Sequence, residues 1–327
     1  MHLRACSLAL VCVVSLAASN VGATTAGAHA VDSHSQTHFR TVEIDGVKLF
    51  YREAGPRNAP AILLLHGFPT SSQMFRDLIP RLSDRYHVIA PDYPGFGYSE
   101  APDRAKFAYT FENYANLVDH LLQKIGVDRY AMYVMDYGAP VGFRLATAHP
   151  ERVTGLIIQN GNAYDVGFGK EFWSPIMAYW KTHGSAEREA IRWLTTRKAT
   201  HWQYTNGVKD VSLVSPDAET VDQALLDRPG DADIQLDLFY DYRTNVPLYP
   251  QWQAYFRDRK PPTLIMWGKN DEIFVAPGAA PYQRDIPDAE IHMLDTGHFA
   301  LETHGAEMAQ LIRKFMERAI RSPSPAG

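Results

Sequence analysis

Four short apolar runs, separated by segments of helical period, most constrain how this chain can fold. Residues 61–65 are a continuous hydrophobic stretch of strand length, and 86–90, 130–135 and 153–159 are largely apolar stretches of similar length, the pattern of strands buried on both faces. Residues 72–84, 111–125 and 139–148 lie between them with amphipathic or helical spacing. Parallel neighbours need a crossover, and a helix is the compact way to make one, so the alternation implies an α/β fold with a mostly parallel sheet. Ahead of it, residues 41–44 and 47–52 flank Asp45-Gly46 and read as a β-hairpin.

The alternation stops after the fourth run. Residues 161–255 are rich in tryptophan and tyrosine and show helical stretches at 185–196 and 218–226 but no buried strand. Strand and helix signals resume at 263–267, 276–284 and 290–294 and end in a long helix over 305–320. The expected organisation is a core in two parts, 39–162 and 256–327, with a helical cap at 163–255. Phe172, Trp173, Tyr179, Trp180, Trp202 and Tyr204 either line an apolar pocket over the sheet edge or hold the cap to the core. Trp173, Tyr179 and Trp180 are the expected substrate-facing residues.

The first 30 residues read as a secretory signal peptide. His2 and Arg4 precede an apolar run over 6–18, and small residues offer cleavage after Ala23 or Ala30. The run is short for a bilayer span, which makes an uncleaved anchor the weaker alternative. The expectation is an exported protein, periplasmic or secreted, with no stable membrane association after cleavage and a flexible lead-in at 31–38. Both cysteines, Cys6 and Cys12, fall in the leader, so its removal would exclude disulfides, thiolate catalysis and cysteine metal sites. Basic residues are scattered in a chain of net charge −5, which argues against nucleic acid as a partner.

Within this frame an aspartate occupies a chemically pointed place. Asp136 follows the apolar run 130–135 and precedes Gly138 and a helical segment, a strand-turn-helix with a carboxylate at the turn. Three other motifs sit at the ends of strand-like runs: His66-Gly67-Phe68-Pro69, Asp92 with Gly95-Phe96-Gly97-Tyr98-Ser99, and Asp271 with His298 near the end. In combination and order, these resemble the α/β-hydrolase superfamily from Phe39 onward, in its branch with an aspartate nucleophile: epoxide hydrolases, haloalkane dehalogenases and haloacetate dehalogenases. Val134 and Met135 depart from the glycine and histidine common before the nucleophile in that family.

The resemblance implies roles. Asp136 would be the nucleophile, His298 the general base, and Asp271 the acid that orients it, with Glu272 its near competitor; the loop at Asn160-Gly161-Asn162 offers no carboxylate. The backbone N–H groups of Phe68 and Tyr137 would form the oxyanion hole, and the bond before Pro69 is a candidate cis peptide. A carboxylate is ionised at neutral pH without a base and suits displacement at a saturated carbon, giving an alkyl-enzyme ester. No metal or organic cofactor is expected; the partners are a small apolar organic substrate and water.

The leaving group divides the branch. Haloalkane dehalogenases typically place Asn after the His-Gly pair and Trp after the nucleophile, where this chain has Phe68 and Tyr137. Haloacetate dehalogenases use an Arg after the nucleophile, and Arg144 lies two helical turns away. Tyr240-Asp241-Tyr242-Arg243 resembles the segment that supplies a ring-opening tyrosine in epoxide hydrolases, which maps that role onto Tyr242. A second cap tyrosine is not evident: Ile176 stands at its expected place, with Tyr179, Tyr164 or Tyr204 as substitutes. The expected activity is epoxide hydrolysis to a vicinal diol, with a dehalogenase, then an ester hydrolase, then a ligand-binding protein as alternatives.

Overall fold

A computed structural model describes residues 36–321, and the expected leader with both of its cleavage sites lies outside them. The hairpin forms as β1 (His38–Ile44) and β2 (Val47–Ala54), turning at Asp45 and Gly46 with φ of 50° and 80°. The buried runs become β3 (Ala61–Leu65), β4 (His87–Pro91), β5 (Tyr130–Met135) and β6 (Val153–Gln159). Two more strands follow the cap, β7 (Thr263–Gly268) and β8 (Glu290–Leu294). One eight-stranded sheet results, in the order β1-β2-β4-β3-β5-β6-β7-β8. Only the pairs involving β2 are antiparallel; the rest of the sheet is parallel.

The helices are α1 (Phe111–Lys124), α2 (Gly138–Ala148), α3 (Lys170–Thr182), α4 (Ser185–Ala190), α5 (Arg197–Thr205), α6 (Pro216–Leu226), α7 (Asp231–Asp241), α8 (Tyr249–Arg259), α9 (Pro281–Asp285) and α10 (Ala300–Arg321). Six of them, α3 to α8, lie between β6 and β7, so the inserted segment is helical as its composition suggested. Side-chain alternation splits the core: Leu63, Leu65, Met132 and Val134 pack toward α1 and α2, while Ile62, Leu64, Ala131 and Tyr133 pack toward Met308, Ile312 and Phe315 of α10. Covering both faces explains why these strands are apolar throughout.

Two helical expectations need correction. Residues 72–84 do not form one α-helix but two turns of 3-10 helix, Ser72–Phe75 and Ile79–Arg81. Pro80 has no N–H to continue an α-helical ladder, and the Ser72 N–H is taken by Asp92 Oδ1 at 2.7 Å. The segment at 276–284 is likewise broken, into a 3-10 turn at Ala276–Gly278 and α9, with Pro277 and Pro281 at the two starts.

Candidate active site

Asp136 sits between β5 and α2 in the left-handed region, φ 50°. Such a backbone is strained for a non-glycine residue and is held by its surroundings. Close packing does the holding. A Cβ on Gly138 would lie 2.2 Å from the Leu65 carbonyl oxygen, and one on Gly67 would lie 2.5 Å from Asp136 Oδ1, so both positions require glycine. Val134, unusual for the family pattern, points to the helix side and packs beside Gly142 and Gly161.

The amide N–H groups of Phe68 and Tyr137 both donate to Asp136 Oδ1, over 2.8 and 2.6 Å. The Phe68–Pro69 peptide is cis, as the turn sequence allowed. His66 supports this turn: its Nε2 accepts from the Tyr93 N–H at 3.3 Å, which leaves Nδ1–H to donate to the Gly67 carbonyl at 3.0 Å. Burial pushes His66 down to about 3, so it stays neutral.

His298, in the loop before α10, places Nε2 3.8 Å from Asp136 Oδ2 and has Nδ1 2.7 Å from Asp271 Oδ2. Asp271 is fixed in turn. Its Oδ2 accepts from Asn160 Nδ2 at 2.7 Å and its Oδ1 from the Ile273 N–H at 2.8 Å. Glu272, by contrast, is exposed. Burial raises Asp136 to about 6, against the opposing pull of His298 and the two amides. For His298 burial disfavours the cation, but the neighbouring Asp271, with Asp136, outweighs it and the net shift is upward.

Asn160 is a residue that sequence reasoning passed over. It was read only as a loop lacking a carboxylate, yet it bridges the end of β6 to Asp271 and also accepts from the Gly268 N–H at 2.9 Å. Its φ of 41° at the end of a strand is a conformation asparagine tolerates better than most residues.

Above the carboxylate the cap contributes an aromatic layer. Tyr242 is fully buried, with ring contacts to Trp173 at 4.7 Å, Phe111 at 5.5 Å, and Tyr137 and Trp180 at 6.0 Å. Its hydroxyl lies beside that of Tyr249 but closes no hydrogen bond of normal geometry, and burial, Tyr249 and Asp136 push its pKa upward. The buried hydroxyls of Tyr93 and Tyr137 and the Nε2 of His298 also lack protein partners, and all three groups feel the Asp136 charge. Unpartnered buried polar atoms are uncommon, and here they gather around one carboxylate.

The other cap residues separate. The indole N–H groups of Trp173 and Trp180 are spent on the Ile273 and Phe239 carbonyls, at 2.9 and 2.7 Å. Tyr179 is not brought to this cluster: its ring packs on Tyr240 and His183, and its hydroxyl faces Arg188. Tyr164 and Tyr204 donate to Asp285 and Asp222, at 2.8 and 2.5 Å, so neither hydroxyl is free. Arg144 holds the cap rather than a substrate. It donates to Asn245 Oδ1 and to the Pro140 carbonyl, and its Nε to Glu112. Among the described residues no group of three His, Cys, Asp or Glu side chains is placed to hold a metal ion, and no helix is long and apolar enough to cross a membrane.

Comparison with known proteins places the fold. Residues 60–305 match the model of the α/β-hydrolase fold family. An uncharacterized hydrolase of Saccharomyces cerevisiae is 47% identical over 284 residues, 85% of this chain and 97% of that protein. A cis-3-alkyl-4-alkyloxetan-2-one decarboxylase of Xanthomonas campestris pv. campestris is 28% identical over 84% of this chain and 93% of its own length. A haloalkane dehalogenase of Bradyrhizobium diazoefficiens is 37% identical over a shorter stretch, 37% of this chain and 38% of its own. Among solved structures, Cfl2 from Burkholderia cenocepacia superposes with a TM-score of 0.71 at 21% identity, covering 85% of this chain and 95% of its own. The haloalkane dehalogenase DbeA from Bradyrhizobium elkani gives 0.70 at 20%, covering 87% and 99%.

Proposed function

From the premise that this chain belongs to the α/β-hydrolase fold family, we propose that it hydrolyses epoxides to vicinal diols through an ester on Asp136. The observation that carries this reading is the distribution of free donors above Asp136. Trp173 and Trp180 have their indole N–H groups bound to backbone carbonyls, whereas the Tyr242 hydroxyl has only the Tyr249 hydroxyl beside it and closes no hydrogen bond of normal geometry. An alkoxide leaving from carbon needs a hydroxyl donor of this kind; a halide needs free N–H groups.

The carboxylate oxygens divide the work. Oδ1 is held by both amides, so Oδ2 attacks the epoxide carbon; the ring C–O bond breaks and its electron pair goes to oxygen, which takes a proton from Tyr242. His298 Nε2 then removes a proton from water, and the hydroxide adds to the Asp136 carboxyl carbon. Oδ1 becomes the oxyanion, already facing the Phe68 and Tyr137 N–H groups. Collapse breaks the ester C–O bond, the departing alkoxide receives the His298 proton, and the carboxylic acid left on Asp136 gives up its proton through solvent, which restores the Tyr242 hydroxyl. Asp271, fixed by Asn160, holds the imidazole tautomer and stabilises its cation. The relatives whose name describes an oxetan-2-one substrate support a site for strained oxygen rings.

A second reading, dehalogenation by the same aspartate, is favoured by the haloalkane dehalogenase likeness. Assay of diol formation from styrene oxide and aliphatic epoxides, beside halide release from a haloalkane panel, separates the two. Halide without diol sinks the epoxide reading. A His298→Gln variant should accumulate an alkyl adduct on the Asp136 peptide, visible by mass spectrometry; no adduct, together with an active Asp136→Ala variant, removes the mechanism. An ester hydrolase would cleave acyl esters instead, and a binding protein would leave its ligand intact. We further propose that residues 1–30 act as an export leader, so that N-terminal sequencing of protein recovered outside the cytoplasm should begin after Ala23 or Ala30.

A further inference from the structure

A second gathering of unpartnered polar atoms lies where the cap meets the core. A cavity there is bounded by Pro69, Thr70 and Gly97 from the core and by Asp222, Arg228 and Gln235 from α6, α7 and the turn between them. The centre of a water molecule can move within it over ≈ 10 Å³, room for one water. Asp222 Oδ1, Gln235 Oε1 and Arg228 Nη2 are buried and close no hydrogen bond of normal geometry within the protein, with the Thr70 hydroxyl lying beside Asp222. Asp222 and Gln235 are each 1% exposed.

The remaining polar atoms of these side chains are committed. Asp222 Oδ2 accepts from the Tyr204 hydroxyl at 2.5 Å, and Gln235 Nε2 donates to the Gly95 carbonyl at 3.5 Å. Arg228 donates through Nε to Asp231 at 2.6 Å and through Nη1 to the Gly97 carbonyl at 2.8 Å. What is left over is two acceptors and one donor. Three such groups buried without partners would each cost about 1–3 kcal/mol, and one water molecule, with two protons to give and a lone pair to receive, is their complement.

We propose that this cavity binds a single internal water, which donates to Asp222 and Gln235 and accepts from Arg228. A cation of similar size would meet the Arg228 guanidinium, and a halide would face the acceptor oxygens of Asp222 and Gln235; a neutral molecule that can both donate and accept meets neither repulsion. The water would sit at a joint of the hydrolytic site. Thr70 follows the turn that presents the Phe68 amide, and Tyr204, held by Asp222, stacks at 4.1 Å on Phe299, the neighbour of His298.

A crystal structure of the full chain, at a resolution that orders solvent, is expected to show one peak within hydrogen-bond distance of all three atoms. Featureless density, or an anomalous signal there in bromide-soaked crystals, would overturn the proposal. In solution, oxygen-17 relaxation dispersion counts long-lived internal waters. Gln235→Met should lower that count by one relative to the wild type, and an unchanged count in the folded variant would overturn the proposal equally.

Discussion

Arg144 donates from Nη1 to Asn245 Oδ1 across 2.7 Å, tying the helix that begins two residues after Asp136 to the cap turn that begins at Tyr242. On the other flank of Tyr242, Asp241 Oδ2 accepts from the Phe111 N–H at 2.9 Å. The proposed nucleophile and proton donor are thus positioned by one clamp. Losing the acceptor leaves a buried guanidinium short of a partner, so Asn245→Ala is expected to cost about 1.5–3 kcal/mol. It should also lower kcat by up to about 100-fold with KM little changed. Urea unfolding and steady-state kinetics read the two effects; full kcat in the variant would deny the clamp its role.

Tyr242→Phe removes only the hydroxyl. Because that group closes no hydrogen bond of normal geometry, with only the Tyr249 hydroxyl beside it, stability should change by less than about 1 kcal/mol, whereas epoxide turnover should fall by about 10²–10⁴-fold. Any halide release should be untouched. Retained epoxide turnover would show that the proton comes from elsewhere.

Asp136 should leave a signature in stability. Its folded value of about 6 stands above the ordinary 3.8, so the folded state binds the proton more tightly than the unfolded one. The stability contributed by the protonated form is complete below pH 4 and is lost as pH rises through 6. At higher pH the fold carries the cost of a buried anion, of order 3 kcal/mol. Asp136→Asn can still accept both amide N–H groups, and it is expected to stabilise the protein at pH 7.5 and to be neutral near pH 4. Denaturation at the two pH values checks this, and equal effects at both would contradict it.

The two half-reactions should also respond differently to pH. Attack needs ionised Asp136, and hydrolysis needs neutral His298, whose pKa lies above the usual 6.5. Between about 6 and the His298 value the ester should therefore accumulate, then decline at higher pH as water activation improves. Rapid-quench mass spectrometry across this range reads the adduct directly; an adduct level independent of pH would rule out His298 as the base.

Asn160→Ala should act on hydrolysis alone. Removing the Nδ2 donor from Asp271 loosens the imidazole's support and costs about 1–3 kcal/mol, but leaves Oδ2 of Asp136 free to attack. Single-turnover kinetics should show adduct formation at the wild-type rate and slowed breakdown. Equal slowing of both steps would point to a general loss of structure.

Much of this molecule is written locally. Strands β3 and β5 fall where continuous apolar runs stand and β6 where a largely apolar one does, because burial on both faces leaves little room for polar residues in the pattern. The places of Asp136, Asp271 and His298 are legible for a related reason: each follows a strand, and strand ends converge at one edge of a parallel sheet. Local reading failed where a local rule competed, as at residues 72–84, whose helical spacing is overruled by Pro80 and by the Asp92 carboxylate.

What only the tertiary structure decided is which polar atoms are already spent. Trp173, Tyr179 and Trp180 all read as substrate-facing, but the N–H groups of the two tryptophans are on the Ile273 and Phe239 carbonyls and the Tyr179 ring lies against Tyr240. Asn160 reaches Asp271 across 111 residues and Arg144 reaches Asn245 across 101. Periodicity reports which face of an element is buried, but a hydrogen bond depends on distances and angles between elements far apart in the chain. The sequence by itself therefore determined the sheet and the edge where the chemistry lies, and the packing of cap on core determined which polar atoms of the cap are already spent there.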